Sequence, residues 1–536
     1  MPSPEQRRID VPRNSREMPV LRAVLIVASC TLAMMVNQAN QASVSIALPT
    51  MAIELGVPES ELTWVVSAYP LSAGCLLLMF GRIADLYGRK KVFCFGAVWL
   101  AVFTLGVSFA NTAMTLEILR GFQGVGAAAT IPASLGILAH AFPPSRARTI
   151  AFATFAAGAP MGGAIGTAIG GIMVQLTKKT WRSIFYLNTG LTVASLFMGI
   201  FTIDRDLPST EDDQRIDVVG TFLATAGLVL IVFVLTQGEL APQQWKTPYI
   251  IALLITGVIL TVLFLLWQHY LERQQDSVYS RSKWTPPPLM RLSLWTRAHG
   301  RVAVVMVIAF LNWCCFQGWC YWSQLYYQNY EGRTPILTVV RLLPQNVSGV
   351  ICNFIVAFVA GRVPFIYFMV SGMTLTSTAS LLFALINPST TYWAFGFPAA
   401  VLSVIGADFV FAAGTLFIAK VSLPHEQSVM GAVFQTMTQL GTSFGVTLST
   451  VVYDRVLRAR AEDFGTDSSS APKPAQLDAY QAAAWTDFAF GIFAALLALV
   501  FFQGVGIIKE REDDSDTLAV PEEDVQTEKA AKELST

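Results

Sequence analysis

The sequence predicts an all-α polytopic membrane protein: two six-helix bundles with two inserted helices between them, fourteen transmembrane helices in all. Three observations predict it. Hydrophobic residues make up 54% of the 536 and charged residues only 13%, with mean hydropathy +0.53; soluble domains carry ~25% charged residues, and so few charges cannot cover a soluble surface. Apolar windows long enough to cross ~30 Å of hydrocarbon recur fourteen times. The polar punctuation of the first six windows returns in the last six.

The windows are 23–48, 63–81, 92–110, 113–139, 149–174, 184–203, 217–237, 248–270, 302–327, 334–360, 364–386, 392–418, 428–453 and 485–507. Each is continuous apolarity, not the ~10-residue alternation of a membrane β-barrel. The order along the chain follows: an N-tail at 1–22, a six-helix bundle at 23–203, a linker with two inserted helices at 204–270, a central cytoplasmic loop at 271–301, a second six-helix bundle at 302–507 and an acidic tail at 508–536. The N-tail holds five arginines and lacks the apolar stretch of a signal peptide. The central loop is basic and contains Pro286, Pro287 and Pro288. The tail reads as a solvated segment.

Loop charge gives the orientation. With both termini in the cytoplasm, 25 Lys/Arg face inward and 9 outward, with Arg120 and Arg341 inside helices. Arg455, Arg458 and Arg460, after the thirteenth window, run against this bias. The 36 basic and 36 acidic residues cancel, so no global field points to nucleic acid. Seven cysteines lie in apolar stretches without CxxC spacing, and four histidines are scattered, so neither a disulfide framework nor a metal motif is expected. No GxxxxGK[ST] loop occurs.

The halves echo each other. Phe142-Pro143-Pro144 precedes a helix with Gly158-x3-Gly162; Leu423-Pro424-His425-Glu426 precedes one with Gly441-x3-Gly445. Gly81-Arg82 after the second window returns as Gly361-Arg362 after the tenth.

The most specific string is Gly81-Arg82-Ile83-Ala84-Asp85-Leu86-Tyr87-Gly88-Arg89-Lys90-Lys91. Its glycines permit a tight reversal, and Asp85 can pair with a basic neighbour such as Arg89. A positive-inside anchor would explain the basic residues but not the paired Gly and Asp. In helix 4, Leu119-Arg120-Gly121-Phe122-Gln123-Gly124 places a charge ~10 Å inside the outer end. Arg120 either snorkels to the interface or faces a cavity and couples proton to substrate. In helix 5, Gly158, Gly162, Gly166 and Gly170, followed by Gly171, form one smooth face for close helix packing. Helix 1 carries four amides, Asn37, Gln38, Asn40 and Gln41, which need partners or water and so point to a cavity.

Asp408 in helix 12 reads as the only acidic residue deep in a span, with Glu117 nearer the outer end. Intramembrane carboxylates are functional candidates by default; the alternative is a structural hydrogen bond or an ion pair to Arg341. Helix 9 concentrates Asn312, Trp313, Gln317, Trp319, Tyr321, Trp322, Gln324, Tyr326 and Tyr327, a set suited to an organic substrate or cation. For Tyr326 and Tyr327 an interfacial belt reads better. Gln435 and Gln439 form an i,i+4 polar pair on helix 13. With Asn37, Asn40, Gln41, Gln123, Asn312, Trp313, Gln317 and Arg341 they are the expected substrate cavity. Asp408 and Arg120 are the expected proton-coupling pair. Asn346-Val347-Ser348 matches a glycosylation acceptor but lies within a span.

These strings resemble those of the major facilitator superfamily. The loop Gly81–Lys91 resembles its signature loop, which implies a latch of the outward-facing state at Gly81, Asp85, Gly88, Arg89 and Lys90. The second-half counterpart lacks the Asp, so the latch is asymmetric. The Arg120 string resembles the family's LRxxQGxGaA motif, and Gly162–Gly171 resembles GxxxGPxxGG of exporters, with Thr167 in place of Pro. Helix 1 resembles the LDxTIVNVALP string of 14-helix drug:proton antiporters, with Asn40 at the acid position. Trp181-Arg182 leading into Tyr186-Leu187-Asn188 fits the same group. The whole resembles a 14-helix fungal drug:proton antiporter, near the branch of aminotriazole/boron exporters and low-affinity ammonium facilitators.

The resemblance implies a non-enzymatic efflux pump working by alternating access, driven by protons and taking a small organic compound: a drug, toxin or secondary metabolite. It implies no metal, ATP or organic cofactor, a monomer in the plasma membrane, and partners limited to substrate, protons and lipid. Two other readings stand. Asn40 and Thr167 favour a facilitator of a small polar solute such as ammonium or borate; a non-transporting membrane sensor usually needs a longer cytoplasmic extension.

Overall fold

The computed structural model describes residues 19–57, 62–142, 146–204, 215–238, 241–275, 285–359, 363–421 and 427–504. Fourteen long helices follow in order: α1 (Val20–Leu55), α2 (Thr63–Tyr87), α3 (Arg89–Val107), α4 (Ala113–Ala141), α5 (Arg146–Leu176), α6 (Arg182–Thr202), α7 (Val218–Gln237), α8 (Pro248–Gln275), α9 (Arg301–Leu325), α10 (Pro335–Val359), α11 (Phe365–Ala384), α12 (Tyr392–Val421), α13 (Gln427–Asp463) and α14 (Lys473–Phe501). Thirteen have the length and apolarity to cross a bilayer.

The exception is α13, expected as an apolar span at 428–453. It is too polar by composition, yet Thr438, Thr442, Ser443, Thr447 and Ser449 along it are buried. It lies against α2, α9 and α14, and several of its hydroxyls turn back onto its own backbone: Thr442 donates to the Thr438 carbonyl (3.1 Å) and Thr450 to Val446 (2.8 Å). Protein rather than lipid surrounds its polar stripe. The last helix also departs from expectation: α14 begins at Lys473, twelve residues before the expected 485, because its first three turns are alanine-rich and polar. The three arginines that run against the expected charge bias then find a local reason. Arg455, Arg458 and Arg460 lie on the final turns of α13, where Arg460 reaches Asp463 (3.6 Å) and Asp478 of α14 (3.0 Å).

Close helix approach builds each half. A Cβ on Gly158 would lie 2.9 Å from the Thr31 carbonyl oxygen, on Gly162 2.3 Å from that of Met35, and on Gly166 2.7 Å from Ala39 Cα; Gly170 meets Ile46 and Ser43. These four glycines seat α5 on α1. Gly171 turns away, towards Val339 and Pro335 of α10. The second half repeats the seat: Gly441 and Gly445 of α13 lie against Phe310 and Cys314 of α9.

Matching contacts fix the register of the repeat. Arg22 donates to the Thr202 carbonyl at the end of α6 (3.3 Å), and Arg301 to the Phe501 carbonyl at the end of α14 (3.1 Å). Thus α1 maps on α9 with a shift of 279 residues (22 to 301, 31 to 310, 35 to 314), and α6 on α14 with 299 (202 to 501). Gly96 and Gly126 pack α3 on α4 as Gly372 and Gly406 pack α11 on α12, giving shifts of 276 and 280. Of the sequence echoes, Gly361-Arg362, Pro143-Pro144 and Leu423–Glu426 lie outside the described residues, as do most of the N-tail, residues 276–284 of the central loop and the acidic tail.

The inserted pair is joined by Gly227 and Gly257, each within 3.1 Å of the other's carbonyl oxygen were it to carry a Cβ. Asp217 caps α7 through the Gly220 amide (2.7 Å) and accepts from Trp267 (2.9 Å) and Gln268 (2.6 Å) of α8. Near its end, α8 docks the segment from Met290 to Ser293: Gln268 accepts from the Met290 amide (3.1 Å), and Glu272 from those of Leu292 (3.0 Å) and Ser293 (3.1 Å).

The two ends of the molecule differ. At the end where α1 meets α2, one hydrophobic core joins both halves, with Leu48, Val65 and Trp181 packed in one cluster with Trp319, Tyr326 and Phe383. Polar ties cross there too: Gln328 to the Ile46 carbonyl (3.2 Å), the Ile336 amide to Gln175 (3.2 Å), and Ser67 to Thr447 (3.4 Å). At the opposite end the buried residues form separate cores, around Phe93 and Phe155 in the first half and Met306 and Phe434 in the second, with the half-buried Leu78 of α2 packed against the latter.

Candidate functional site

A cavity of about 200 Å³ lies between the halves. Helices α1 and α9 contribute to it in register: Met34, Gln38, Gln41, Ala42 and Ser45 line it from one side, and their counterparts at the 279-residue shift, Trp313, Gln317, Cys320, Tyr321 and Gln324, from the other. Pro160, Gly163 and Thr167 of α5 face Gln435, Gln439 and Thr442 of α13. Gln41 Nε2 reaches Gln439 Oε1 across the cavity (3.4 Å). Gln345, Asn346 and Gly349 come from α10, and Val404, Ala407, Asp408 and Phe411 from α12.

Among the described lining residues Asp408 is the only Asp, Glu, Lys, Arg or His. It lies where α5, α10 and α12 meet: a Cβ on Gly349 would be 3.9 Å from Asp408 Oδ2 and from Pro160. Beside it, Trp313 stands 5.4 Å from Phe411 and 6.3 Å from Phe316, ring centre to ring centre. A carboxylate beside aromatic faces attracts cationic groups. Among the described residues no three His, Cys, Asp or Glu side chains are placed to hold a metal ion.

The expected cavity residues divide. Gln41, Trp313, Gln317, Gln435, Gln439 and Asp408 line it; Asn37, Asn40, Gln123, Asn312, Arg341 and Arg120 do not. Arg120 is fully buried inside the first half, neither snorkelling nor on the cavity wall. Its Nε donates to the Val65 carbonyl (2.9 Å), and Nη1 to the Asn40 carbonyl (3.2 Å) and Gln123 Oε1 (2.7 Å), while its guanidinium lies 4.6 Å over the Tyr69 ring. Gln123 in turn donates to Asn40 Oδ1 (3.0 Å) and Thr104 (2.7 Å), and Asn188 to Asn40 Oδ1 (2.9 Å). Asn37 accepts from the Tyr69 hydroxyl (2.8 Å). Asn40 is therefore the hub of a buried network joining α1, α2, α3, α4 and α6. Asn312 is buried with neither amide atom bonded. Arg341 does not meet Asp408 in an ion pair; it lies 3.9 Å from Glu331 and 4.6 Å over the Tyr392 ring.

At the α2–α3 turn, Gly88 takes φ +112°, a conformation that favours glycine. Asp85 pairs with Arg89 within its own half (3.3 Å), and the Arg89 side chain lies against Gly136 of α4. Lys90 donates to the Ile200 and Ile203 carbonyls at the end of α6 (2.7 and 2.6 Å), where cations oppose the helix dipole. The Trp181-Arg182 pair meets Glu54 of α1: Trp181 Nε1 at 2.8 Å, Arg182 Nη1 at 2.7 Å, with Thr180 as a third donor.

Sequence reasoning missed Gln345 and Asn346 as wall residues, while Gln38, Tyr321 and Gln324, named there within the polar sets of helices 1 and 9, do line the cavity. It also missed Asp487, which is buried midway along α14 and shows that Asp408 is not the only deep carboxylate. Gln38 lies three residues before Gln41 and thus on its helix face. For Asp487 the signal required starting α14 in its polar first turns.

Two inverted-looking ends, one fused and one split, around a polar cavity between repeated six-helix halves define a multi-pass membrane transporter. The chain belongs to the Major Facilitator Superfamily, whose sequence profile matches residues 30–215 and 209–446. It is similar to "MFS-type transporter 1" of Pyricularia oryzae, 28% identical over 94% of this chain and 87% of that one. It is also similar to "Low affinity ammonium transporter" of Saccharomyces cerevisiae, 29% identical over 74% of each, and to "Efflux pump terJ" of Aspergillus terreus, 26% identical over 80% of each. Among solved structures, an auto-inhibited peptide transporter of the POT family shares the fold, with TM-score 0.60 and 16% identity over 92% of this chain and 99% of that one.

Proposed function

We propose that the protein is a proton-coupled exporter of small organic compounds, working by alternating access in the plasma membrane with both termini in the cytoplasm and acting as a monomer. The observation that carries the proposal is the cavity wall: one carboxylate, Asp408, among amides and the rings of Trp313, Phe316 and Phe411. Such a wall suits an organic cation whose charge meets Asp408 and whose flat part meets the rings. Proton and cation then compete for one carboxylate, so the two move in opposite directions. With the termini inside, the fused end is the outer gate and the split end faces the cytoplasm, the state that loads substrate for export. In that frame Asp85 and Arg89 form the inner latch in its single-half arrangement.

The similarity to an ammonium transporter and the amide at Asn40 support a second reading, a facilitator of a small polar solute. Cavity size favours the first. A volume of about 200 Å³ is more than ten times the ~10–15 Å³ that one water-sized solute needs on the same measure. Proteoliposomes under an imposed pH gradient test the choice. Gradient-driven uptake of aromatic organic cations, with neutral isosteres left behind, is the expected result. Equal passage of ammonium with and without the gradient, and none of the cations, would give the facilitator.

A further inference from the structure

The register of the internal repeat leads to a residue that neither the cavity nor the proton pathway above uses. Helices α6 and α14 correspond with a shift of 299, anchored by the matched carbonyls of Thr202 and Phe501. Asp487 is therefore the counterpart of Asn188. The packing agrees: Asn188 bonds to Asn40 of α1, and Asp487 lies against Gly318 of α9, next to Trp319, which is the counterpart of Asn40. A Cβ on Gly318 would be 2.1 Å from Asp487 Oδ1, so the carboxyl rests directly on the α9 backbone.

The surroundings of the two residues differ. Around Asn188 the first half places Arg120, Gln123, Asn40 and Thr104. At the corresponding positions the second half has Ala400, Ser403, Trp319 and Ser380. The cation and both amides are gone, and the amide at the α6 position has become an acid. Asp487 is 1% exposed, its Oδ1 has no hydrogen-bond partner, and no ion pair joins it to a described basic residue. The titratable groups facing it are the thiols of Cys314, Cys315 and Cys320 on α9. From α11, Ser377 and Ser380 reach the same region, through Gly491 and Cys315.

We infer that Asp487 is a second proton-binding site, housed in the core of the C-terminal half behind α9 and separate from the cavity carboxylate Asp408. A carboxylate at this depth with an unbonded oxygen is costly without a counter-charge, and the proton removes that charge. A metal ion fits less well, because hard cations take about six oxygen ligands and three thiols surround this one carboxyl. Cys320 connects the two environments. It faces Asp487, lines the cavity, and accepts from Gln345 Nε2 of α10 (3.0 Å).

Infrared difference spectroscopy of the purified full-length protein, titrated across the pH range in which it stays folded, reads this directly through the C=O stretch of a protonated buried carboxylic acid. The expected result is a band that fades reversibly as pH rises, persists in Asp408→Asn and is missing in Asp487→Asn. Identical spectra for wild type and Asp487→Asn would mean that the group is ionised throughout, and a band that never responds to pH would make it a fixed structural acid; either overturns the site. Gly318→Ala presses a methyl on the carboxyl while keeping it, so the band must move in that variant; an unmoved band would assign it to another acid. None of these readouts depends on which substrate is carried, so a failure of the export proposal leaves them intact.

Discussion

Replacing Gly162 with alanine tests the seat of α5 on α1. The new Cβ would lie 2.3 Å from the Met35 carbonyl oxygen and 2.8 Å from its Cα. Both are backbone atoms, so no rotamer change relieves the overlap. Ordinary contact begins near 3.4 Å, so α1 and α5 must separate by about 1 Å along that line. Overpacking of this kind costs about 1–3 kcal/mol, and the neighbouring seats at Gly158 and Gly166 lose contact with it. Gly163 is the internal control, with nothing within 4 Å of an added Cβ; alanine there gains about 0.8–1 kcal/mol of helix propensity. The repeat adds a second arm, because a Cβ on Gly445 would lie 2.4 Å from Cys314 Cα. Thermal unfolding of detergent-solubilised protein, followed by size-exclusion chromatography, should rank Gly163→Ala at or above wild type and both Gly162→Ala and Gly445→Ala well below it. Gly162→Ala as stable as Gly163→Ala would refute the close seat and the register of the repeat built on it.

Three further outcomes are expected. Asn40→Asp puts a carboxylate where Gln123 and Asn188 already donate and Arg120 lies close, and it removes an amide nitrogen that has no partner; hydrogen bonds to charged groups contribute about 1.5–3 kcal/mol, so this variant should melt higher than wild type. Arg120→Ala strips donors from Val65, Asn40 and Gln123 inside a buried network, so it should lose several kcal/mol of stability and little folded protein should reach the membrane; a well-folded, inactive Arg120→Ala would return Arg120 to a purely transport role. Asp85→Asn removes the acid that holds Arg89 at the α2–α3 turn, and cysteine accessibility of the two ends should show a shifted balance of states, whereas unchanged accessibility would end the latch assignment.

Helix 1 explains how much was legible. Its four amides announced a polar surface inside a span, but composition does not give azimuth. Asn37 and Asn40, three apart, turn into the bundle and serve the Arg120 network; Gln38 and Gln41, one position further round, face the cavity. Each position turns ~100°, so one residue of offset separates structural from cavity-facing amides. Arg120 was misread for the same reason: depth in the membrane was visible, the buried network around it was not. The helices were legible because apolarity sustained over ~20 residues has few other solutions. The boundaries were missed where helices are shielded by protein, at the end of α13, which runs on to Asp463, and at the first turns of α14, since there polarity no longer marks the membrane edge. The glycine face of α5 was readable because four-residue spacing alone fixes a common side, and only its partner helix had to come from the structure.

The proposed coupling of substrate export to protons through Asp408 is measured most directly as flux in proteoliposomes with and without a pH gradient, for wild type and Asp408→Asn. Asparagine keeps the size and one acceptor but cannot exchange a proton. The expected result is gradient-driven accumulation by wild type and none by Asp408→Asn, with downhill exchange of substrate spared. Wild-type flux indifferent to the gradient, or an Asp408→Asn variant that accumulates substrate as wild type does, would contradict it.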